Sequence, residues 1–228
     1  MKNIAIILAG GIGSRVGGST PKQLLPLKDG RSVLEHSVDA FEQSSVIDEI
    51  AIVMHPDWLN EAQAIVDRNN WPKVKKIIPG GKERWESSWN AIEEVKGERL
   101  KVKGERMNLW LHDCARPFVS QRILSDIAEA LETHPAVTVA VPATDTIYLT
   151  ENKQLVAMPD RSTVLRAQTP QAFHLEVIRK AFENALAQGN IGATDDVGIV
   201  HRYLPEIPIF IVQGEEANRK ITFIEDLK

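Results

Sequence analysis

Residues 8–23 read Leu-Ala-Gly-Gly-Ile-Gly-Ser-Arg-Val-Gly-Gly-Ser-Thr-Pro-Lys-Gln. Gly10, Gly11 and Gly13 permit a sharp turn and let backbone N–H groups approach an anion closely. Arg15 and Lys22 add positive charge to the same loop. This combination suits the polyphosphate of a nucleotide; it also fits a tight strand-to-helix turn carrying two solvated cations. The loop lacks the Gly-x-x-x-x-Gly-Lys-Ser/Thr spacing of a Walker loop. It also fails the dinucleotide pattern Gly-x-Gly-x-x-Gly, because Val16 falls where the third glycine belongs. What remains is Leu-x-Gly-Gly-x-Gly-x-Arg followed by Pro-Lys.

Two further stretches carry candidate chemistry. Gly80 and Gly81 open Gly-Gly-Lys-Glu-Arg-Trp-Glu-Ser-Ser, with Arg84 and Ser87 inside it. Ligands of open α/β sheets collect outside the carboxyl ends of strands, where this stretch is expected. The bland alternative is a turn with a solvated Arg84. The second stretch, His112-Asp113-Cys114-Ala115-Arg116, follows an apolar run. Asp113 suits a ribose hydroxyl or a magnesium ion, which favours carboxylate and phosphate oxygens; it could equally pair with Arg116. Cys114 reads as a small packed residue and His112 as a structural hydrogen bonder.

The elements that must position these residues alternate. Apolar β-branched runs predict strands over 4–8, 47–54, 74–78, 107–111, 136–141 and 207–212. Helical spacing predicts helices from Val33, over 57–67, from Ser120 to about 131, through Val177 to Leu186, after Ala193–Asp196, and over 224–227. Ser32 with Glu35 reads as a capping box. Residues 96–109 contain a near-repeat, Lys-Gly-Glu-Arg, and read as a surface loop leading into the next strand. The expected fold is α/β: one domain over 1–228, a mostly parallel Rossmann-like sheet, and helices on both faces. From 143 to about 167 the pattern changes to short alternating pieces with a turn at Asn152-Lys153. This reads as a protruding β-arm whose apolar side needs a cover, and a twin subunit is the simplest one.

Composition excludes several classes. The chain has 27 basic and 31 acidic residues and a net charge of −4, so nothing points to a nucleic-acid partner. Cys114 is the sole cysteine, which rules out an internal disulfide and fits a reducing compartment. No signal peptide or membrane-length apolar run is apparent, and a cytoplasmic location is expected.

Taken in order, these motifs resemble the family of 2-C-methyl-D-erythritol 4-phosphate cytidylyltransferases and their sisters acting on ribitol 5-phosphate. The match spans Leu8 to Gly11, Arg15, Pro21 to Gln23, Gly80-Gly81 with Glu83-Arg84, His112-Asp113 with Arg116-Pro117, Asp145-Thr146, Thr169 to Gln171, Thr194-Asp195, and Asn218 with Lys220. The resemblance implies CTP and a polyol phosphate as substrates, Mg²⁺ as cofactor and a homodimer joined through the arm. It implies that Arg15 and Lys22 stabilise charge on the CTP phosphates. Arg161 and Lys220 would position the polyol phosphate, with Arg161 serving the partner's site. Leu8, Ala9, Gly10, Gly11, Gly13, Gly80, Gly81, Arg84, Ser87, Asp113 and Cys114 would line the nucleotide, Asp113 also lying near the metal. Asp145, Thr146, Thr169 and Thr194 would face the second substrate.

The chain departs from the family at Cys114, where Ala or Ser is usual, at Lys82, where Asp is frequent, and at Thr144, where erythritol-type members often carry Arg. Asp57-Trp58 and the surroundings of Asp145 lean towards the ribitol type, Asp160-Arg161-Ser162 towards the erythritol type. Two other classes stay open. A nucleotide-binding module without catalysis would not need four cations drawn from distant segments. A sugar-1-phosphate nucleotidyltransferase shares the loop but not the arm or Thr169-Pro170-Gln171.

Overall fold

Strand and helix alternate from the start: β1 (Lys2–Ala9), α1 (Val33–Glu42), β2 (Glu49–Met54), α2 (Leu59–Asn69), β3 (Val74–Pro79), α3 (Arg84–Arg99) and β4 (Met107–Asp113). Next come α4 (Gln121–Ala130), β5 (Ala136–Pro142), the short strands β6 (Leu149–Glu151) and β7 (Gln154–Ala157), β8 (Leu165–His174), α5 (Leu175–Ala187), α6 (Asp196–Tyr203) and β9 (Phe210–Gln213). The computed structural model describes residues 1–11, 20–99, 106–189 and 191–227. Gly13 and Arg15, expected to bind the nucleotide, lie outside the described residues.

The main sheet runs β3-β2-β1-β4-β8-β5-β9. All its pairings are parallel except those of β8, which runs antiparallel to both β4 and β5. Alternate residues of β1 enter two cores. Ala5, Ile7 and Ala9 join α1, α2 and α4 on one face, around Phe41 and Trp110. Ile4 and Ile6 join α3, α5 and α6 on the other, around Phe173 and Phe182. A sheet covered on both faces needs such continuous apolar strands, which is why β1 and β2 carry no polar alternation.

Local signals set the helix starts. Ser32 Oγ accepts from the Glu35 N–H while the Glu35 carboxylate accepts from the Ser32 N–H, a complete capping box for α1. Ser120 Oγ accepts from the Ile123 N–H at the start of α4. Among the described residues no helix is long and apolar enough to cross a membrane.

Strand register aligns one edge of the sheet. Leu8 pairs with Val53 and with Asp113, and Met54 pairs with Pro79. The carboxyl ends of β1, β2, β3 and β4 are therefore level, and their loops leave from one edge.

Three boundaries differ from the sequence reading. Residues 96–99 continue α3 instead of starting a loop. The expected second helix at 57–67 divides into a short 3-10 turn, Pro56–Trp58, and α2. The segment 168–173 is a buried strand at the centre of the sheet, and the arm returns to the sheet at Leu165. In the arm, Asn152 and Lys153 both adopt positive φ in the turn between β6 and β7, as a tight hairpin requires. Tyr148, Leu149, Leu155, Val156 and Met158 on this arm are each more than half exposed.

Candidate active site

The level strand ends bring two glycine pairs together. A Cβ built on Gly80 would lie 3.1 Å from Ser87 Oγ and 3.4 Å from Gly10 Cα; one on Gly81 would lie 2.2 Å from Glu86 Cβ. The β3–α3 turn thus packs closely against the first loop at Gly80, and at Gly81 the start of α3 leaves no room for a side chain. Ser87 Oγ accepts from the Gly81 N–H at 3.1 Å, fixing that turn from the first residues of α3. The first loop is held from below by Gln23. Its buried side-chain amide donates to the carbonyls of Ala9 and Gly11. Gln23 had no assigned role in the sequence; its place in the Pro21-Lys22-Gln23 motif was the available signal.

Lys22 begins a short 3-10 turn, Lys22–Leu24, and its Nζ donates to the Ile221 carbonyl at 2.8 Å. This ties the start of the chain to its end. The C-terminal segment is anchored on the other side by Asn218, fully buried, whose Nδ2 donates to the Thr169 carbonyl at 2.8 Å. Arg116 also holds this segment: Nη1 donates to the Asn218 carbonyl and Nη2 to the Ala167 carbonyl. Asp113 and Arg116, adjacent enough in sequence to pair with each other, each bind elsewhere.

Asp113 is the electrostatic hub. Its Oδ2 lies 2.7 Å from Lys220 Nζ, and its Oδ1 accepts from Arg84 Nε at 3.2 Å. Burial would raise its pKa, but Arg84 and Lys220 hold the carboxyl well below the usual range. Arg84 reaches further: its Nη2 donates to Asp196 Oδ2 at 2.8 Å. Burial opposes the charge on Arg84, and the two carboxylates more than restore it.

Behind Asp113, Thr169 Oγ1 accepts from the Asp113 N–H at 3.1 Å. His112 Nε2 faces the Arg116 carbonyl at 2.9 Å, and Nδ1 faces Thr169 Oγ1 at 3.0 Å. A carbonyl can only accept, so Nε2 carries the proton and the Thr169 hydroxyl donates to Nδ1. Burial pushes His112 down to about 4, leaving it neutral at pH 7. It is a brace, as its position predicted. Cys114 is buried, and burial pushes its thiol up to about 12; this is a packing residue rather than a nucleophile.

These groups border one cleft of about 350 Å³. Of the residues expected there, Leu8, Ala9, Gly10, Gly11, Lys22, Gly81, Arg84, Ser87, Asp113, Cys114 and Lys220 line it, as does Lys82. Gly80 packs beneath the turn, and Thr169 lies buried behind Asp113. Thr194 sits in an adjacent depression with Glu83 and Arg84. Asp145, Thr146 and Arg161 are on the arm, and Arg161 Nη1 donates to the Thr144 carbonyl at 3.2 Å. Among the described residues, no cluster of three or more His, Cys, Asp or Glu side chains is placed to hold a metal ion. A glycine-walled cleft with Lys22, Arg84 and Lys220 along one rim can take a polyanion and stabilise charge growing on it.

Comparison with known proteins gives the same picture. The family model described as 2-C-methyl-D-erythritol 4-phosphate cytidylyltransferase matches residues 3–228. The enzyme of that name from Thermobifida fusca (strain YX) is 43% identical, over 98% of this chain and 89% of its own. The bifunctional ribulose 5-phosphate reductase/CDP-ribitol pyrophosphorylase of Haemophilus influenzae is 40% identical over 99% of this chain, but this covers 47% of its length. Among solved structures, the 4-diphosphocytidyl-2C-methyl-D-erythritol synthase of Anaerococcus prevotii DSM 20548 superposes with a TM-score of 0.83 at 28% identity, covering 99% of this chain and 92% of that one.

Proposed function

This chain belongs to the 2-C-methyl-D-erythritol 4-phosphate cytidylyltransferase family, and from that premise we propose how its residues carry out the reaction. It is a CTP-dependent nucleotidyltransferase. It joins CTP to 2-C-methyl-D-erythritol 4-phosphate, giving 4-diphosphocytidyl-2-C-methyl-D-erythritol and pyrophosphate.

The acceptor is largely a dianion at neutral pH, since its second pKa is near 6. Its oxygen attacks the α-phosphorus of CTP; the bond from that phosphorus to the bridging oxygen breaks, and pyrophosphate leaves with the electron pair. No proton need be removed. The obstacle is repulsion between two anions, which fixed cations and N–H groups offset. Lys22 and Arg15 neutralise the triphosphate, while the close-packed turns at Gly10 and Gly81 present backbone to it. Lys220 takes the acceptor phosphate, and to do so it leaves Asp113. Arg161, Thr146 and Asp145 act on the arm, where a second copy completes the site. The exposed apolar arm residues support a homodimer, because a lone two-stranded ribbon is not stable in water.

Magnesium borne by nucleotide phosphates needs one or two protein carboxylates. Asp113 fits that requirement as a single ligand once Lys220 has moved off its Oδ2. When bound, the ion would supply further neutralisation of the phosphate oxygens. We place the enzyme in the cytoplasm, where CTP is made.

The observation that carries this reading is that Lys22, Arg84, Lys220 and Asp113 line one cleft together with residues of both glycine turns. A second reading, transfer to ribitol 5-phosphate, is favoured by the 40% identity to the Haemophilus influenzae protein and by Asp57-Trp58. Both acceptors have five carbons; ribitol 5-phosphate carries one more backbone carbon and hydroxyl and lacks the methyl branch, so the pocket tells them apart by the methyl it accommodates and the hydroxyl it hydrogen-bonds. Pyrophosphate release with CTP, Mg²⁺ and each acceptor side by side decides. Release with methylerythritol phosphate is expected to be faster by at least ~10-fold; the reverse order assigns the ribitol reaction, and none with either leaves a binding module.

A further inference from the structure

We propose that Asp196, which lies behind the cleft and not in it, is a positioning residue that fixes the charge of the site through Arg84. Asp196 is the first residue of α6 and is 0% exposed. Its charge is not needed to start that helix. Asp195 is the cap, its Oδ1 accepting from the Gly198 N–H at 2.8 Å. The N–H groups of Asp196 and Val197 are both taken by Gln171 Oε1, at 3.1 Å each. The Asp196 carboxylate turns away to Arg84 Nη2, and its Oδ1 finds no hydrogen-bond partner among the described residues. A buried carboxylate with an unpartnered oxygen is costly, and the helix dipole offsets only part of that cost. Among the described residues, its one strong partner is a guanidinium that lines the cleft.

Arg84 is therefore held by two carboxylates on different nitrogens, Asp113 on Nε and Asp196 on Nη2. That clamp fixes the plane of the guanidinium. Without Asp196, Arg84 keeps a single carboxylate contact and is free to swing onto a bound polyphosphate, for which its fork is well suited. With Asp196, Arg84 stays on Asp113 and compensates it when Lys220 departs. This role rests on the transfer reading above, in which Lys220 exchanges Asp113 for the acceptor phosphate.

The test is a double-mutant cycle between Asp196→Asn and Arg84→Ala, with turnover, acceptor KM and thermal melting all recorded. Asp196→Asn keeps the volume and one acceptor oxygen. It is expected to lower kcat/KM for the acceptor by at least ~10-fold, the scale of a misplaced catalytic group, with a small change in melting temperature. In the Arg84→Ala background the same substitution is expected to cost less than about threefold, because residues acting as one unit are non-additive. A full loss in both backgrounds means that Asp196 serves only the fold, and an unchanged kcat/KM means that it serves nothing; either overturns the proposal. If Asp196→Asn does not fold, Arg84→Lys keeps the charge but cannot span both carboxylates; it should reproduce the loss, and a fully active Arg84→Lys refutes the clamp. A wild type that releases no pyrophosphate with either polyol phosphate overturns the transfer reading instead. The cycle is then read on the CTP dissociation constant by tryptophan fluorescence, where the same non-additivity is expected and additivity overturns the clamp.

Discussion

Lys220 Nζ lies 2.7 Å from Asp113 Oδ2, joining the last segment of the chain to the end of a central strand. The Lys220 side chain is 38% exposed and the Asp113 side chain 13%, so the lysine can leave while the carboxylate stays. Lys220→Ala is accordingly expected to raise the acceptor KM by at least ~10-fold while changing the CTP KM little, since a single exposed charge contact is removed from one substrate. Steady-state kinetics with each substrate varied in turn would show this; an unchanged acceptor KM removes Lys220 from acceptor binding.

Lys22 lines the same cleft and is expected to act on charge that develops in the transition state. Lys22→Ala should lower kcat by at least ~100-fold, the scale of losing one preorganised donor. The contact of Lys22 with the Ile221 carbonyl predicts a second effect, faster proteolysis of the C-terminal segment. Near-normal turnover of this variant would exclude Lys22 from the chemistry.

Gly81→Ala places a methyl group 2.2 Å from Glu86 Cβ. Glu86 Oε2 accepts from the N–H groups of both Lys82 and Glu83, so the collision displaces the turn that borders the nucleotide cleft. A rise in the CTP dissociation constant of at least ~10-fold is expected by calorimetry. Wild-type affinity would mean that this turn does not touch the nucleotide.

Glu35 gives a pH signature far from the cleft. Its burial would raise the pKa, but hydrogen bonds from Arg68, Ser32 and Asn69 bring it from 4.5 down to about 2. A carboxyl depressed in the folded state contributes stability that is fully present above the unfolded value and is lost as pH falls through the folded one. Glu35→Gln should therefore cost about 2 kcal/mol at pH 7, after allowance for screening of the exposed Arg68. The gap between variant and wild type should close between pH 4.5 and about 2. Urea melts across that range test it; a gap independent of pH would mean that the carboxylate charge contributes nothing.

Cys114 should resist alkylation in the folded protein at pH 8, because burial holds its thiol near 12 and the thiolate is the reactive form. Mass spectrometry after iodoacetamide treatment should find labelling only once urea is added.

Much of this site was legible because its residues sit at strand ends that apolar runs announce. Ile4 to Leu8 and Met107 to Leu111 located the edge from which Gly10, Asp113 and Cys114 project. The segment 168–173 was harder. Gln168, Thr169, Pro170 and Gln171 do not look like a buried strand, yet they form one because each polar side chain is satisfied. Gln168 donates to the Glu215 carbonyl and accepts from Asn218, Thr169 braces His112, and Gln171 takes up the start of α6. Such pairings are tertiary and override local propensity. Asp196 was legible only as part of the predicted helix start at Ala193–Asp196; that it serves Arg84, 112 residues away, no local pattern could show.

Transfer at this site depends on cations that gather on one phosphorus and on the release of Lys220 from Asp113. A crystal structure with CTP, Mg²⁺ and the acceptor bound measures this directly. Lys220 Nζ is expected about 2.8 Å from an acceptor phosphate oxygen and no longer on Asp113, with Lys22 on the triphosphate and Arg84 still between Asp113 and Asp196. Lys220 unmoved on Asp113, with the acceptor phosphate held elsewhere, would contradict it.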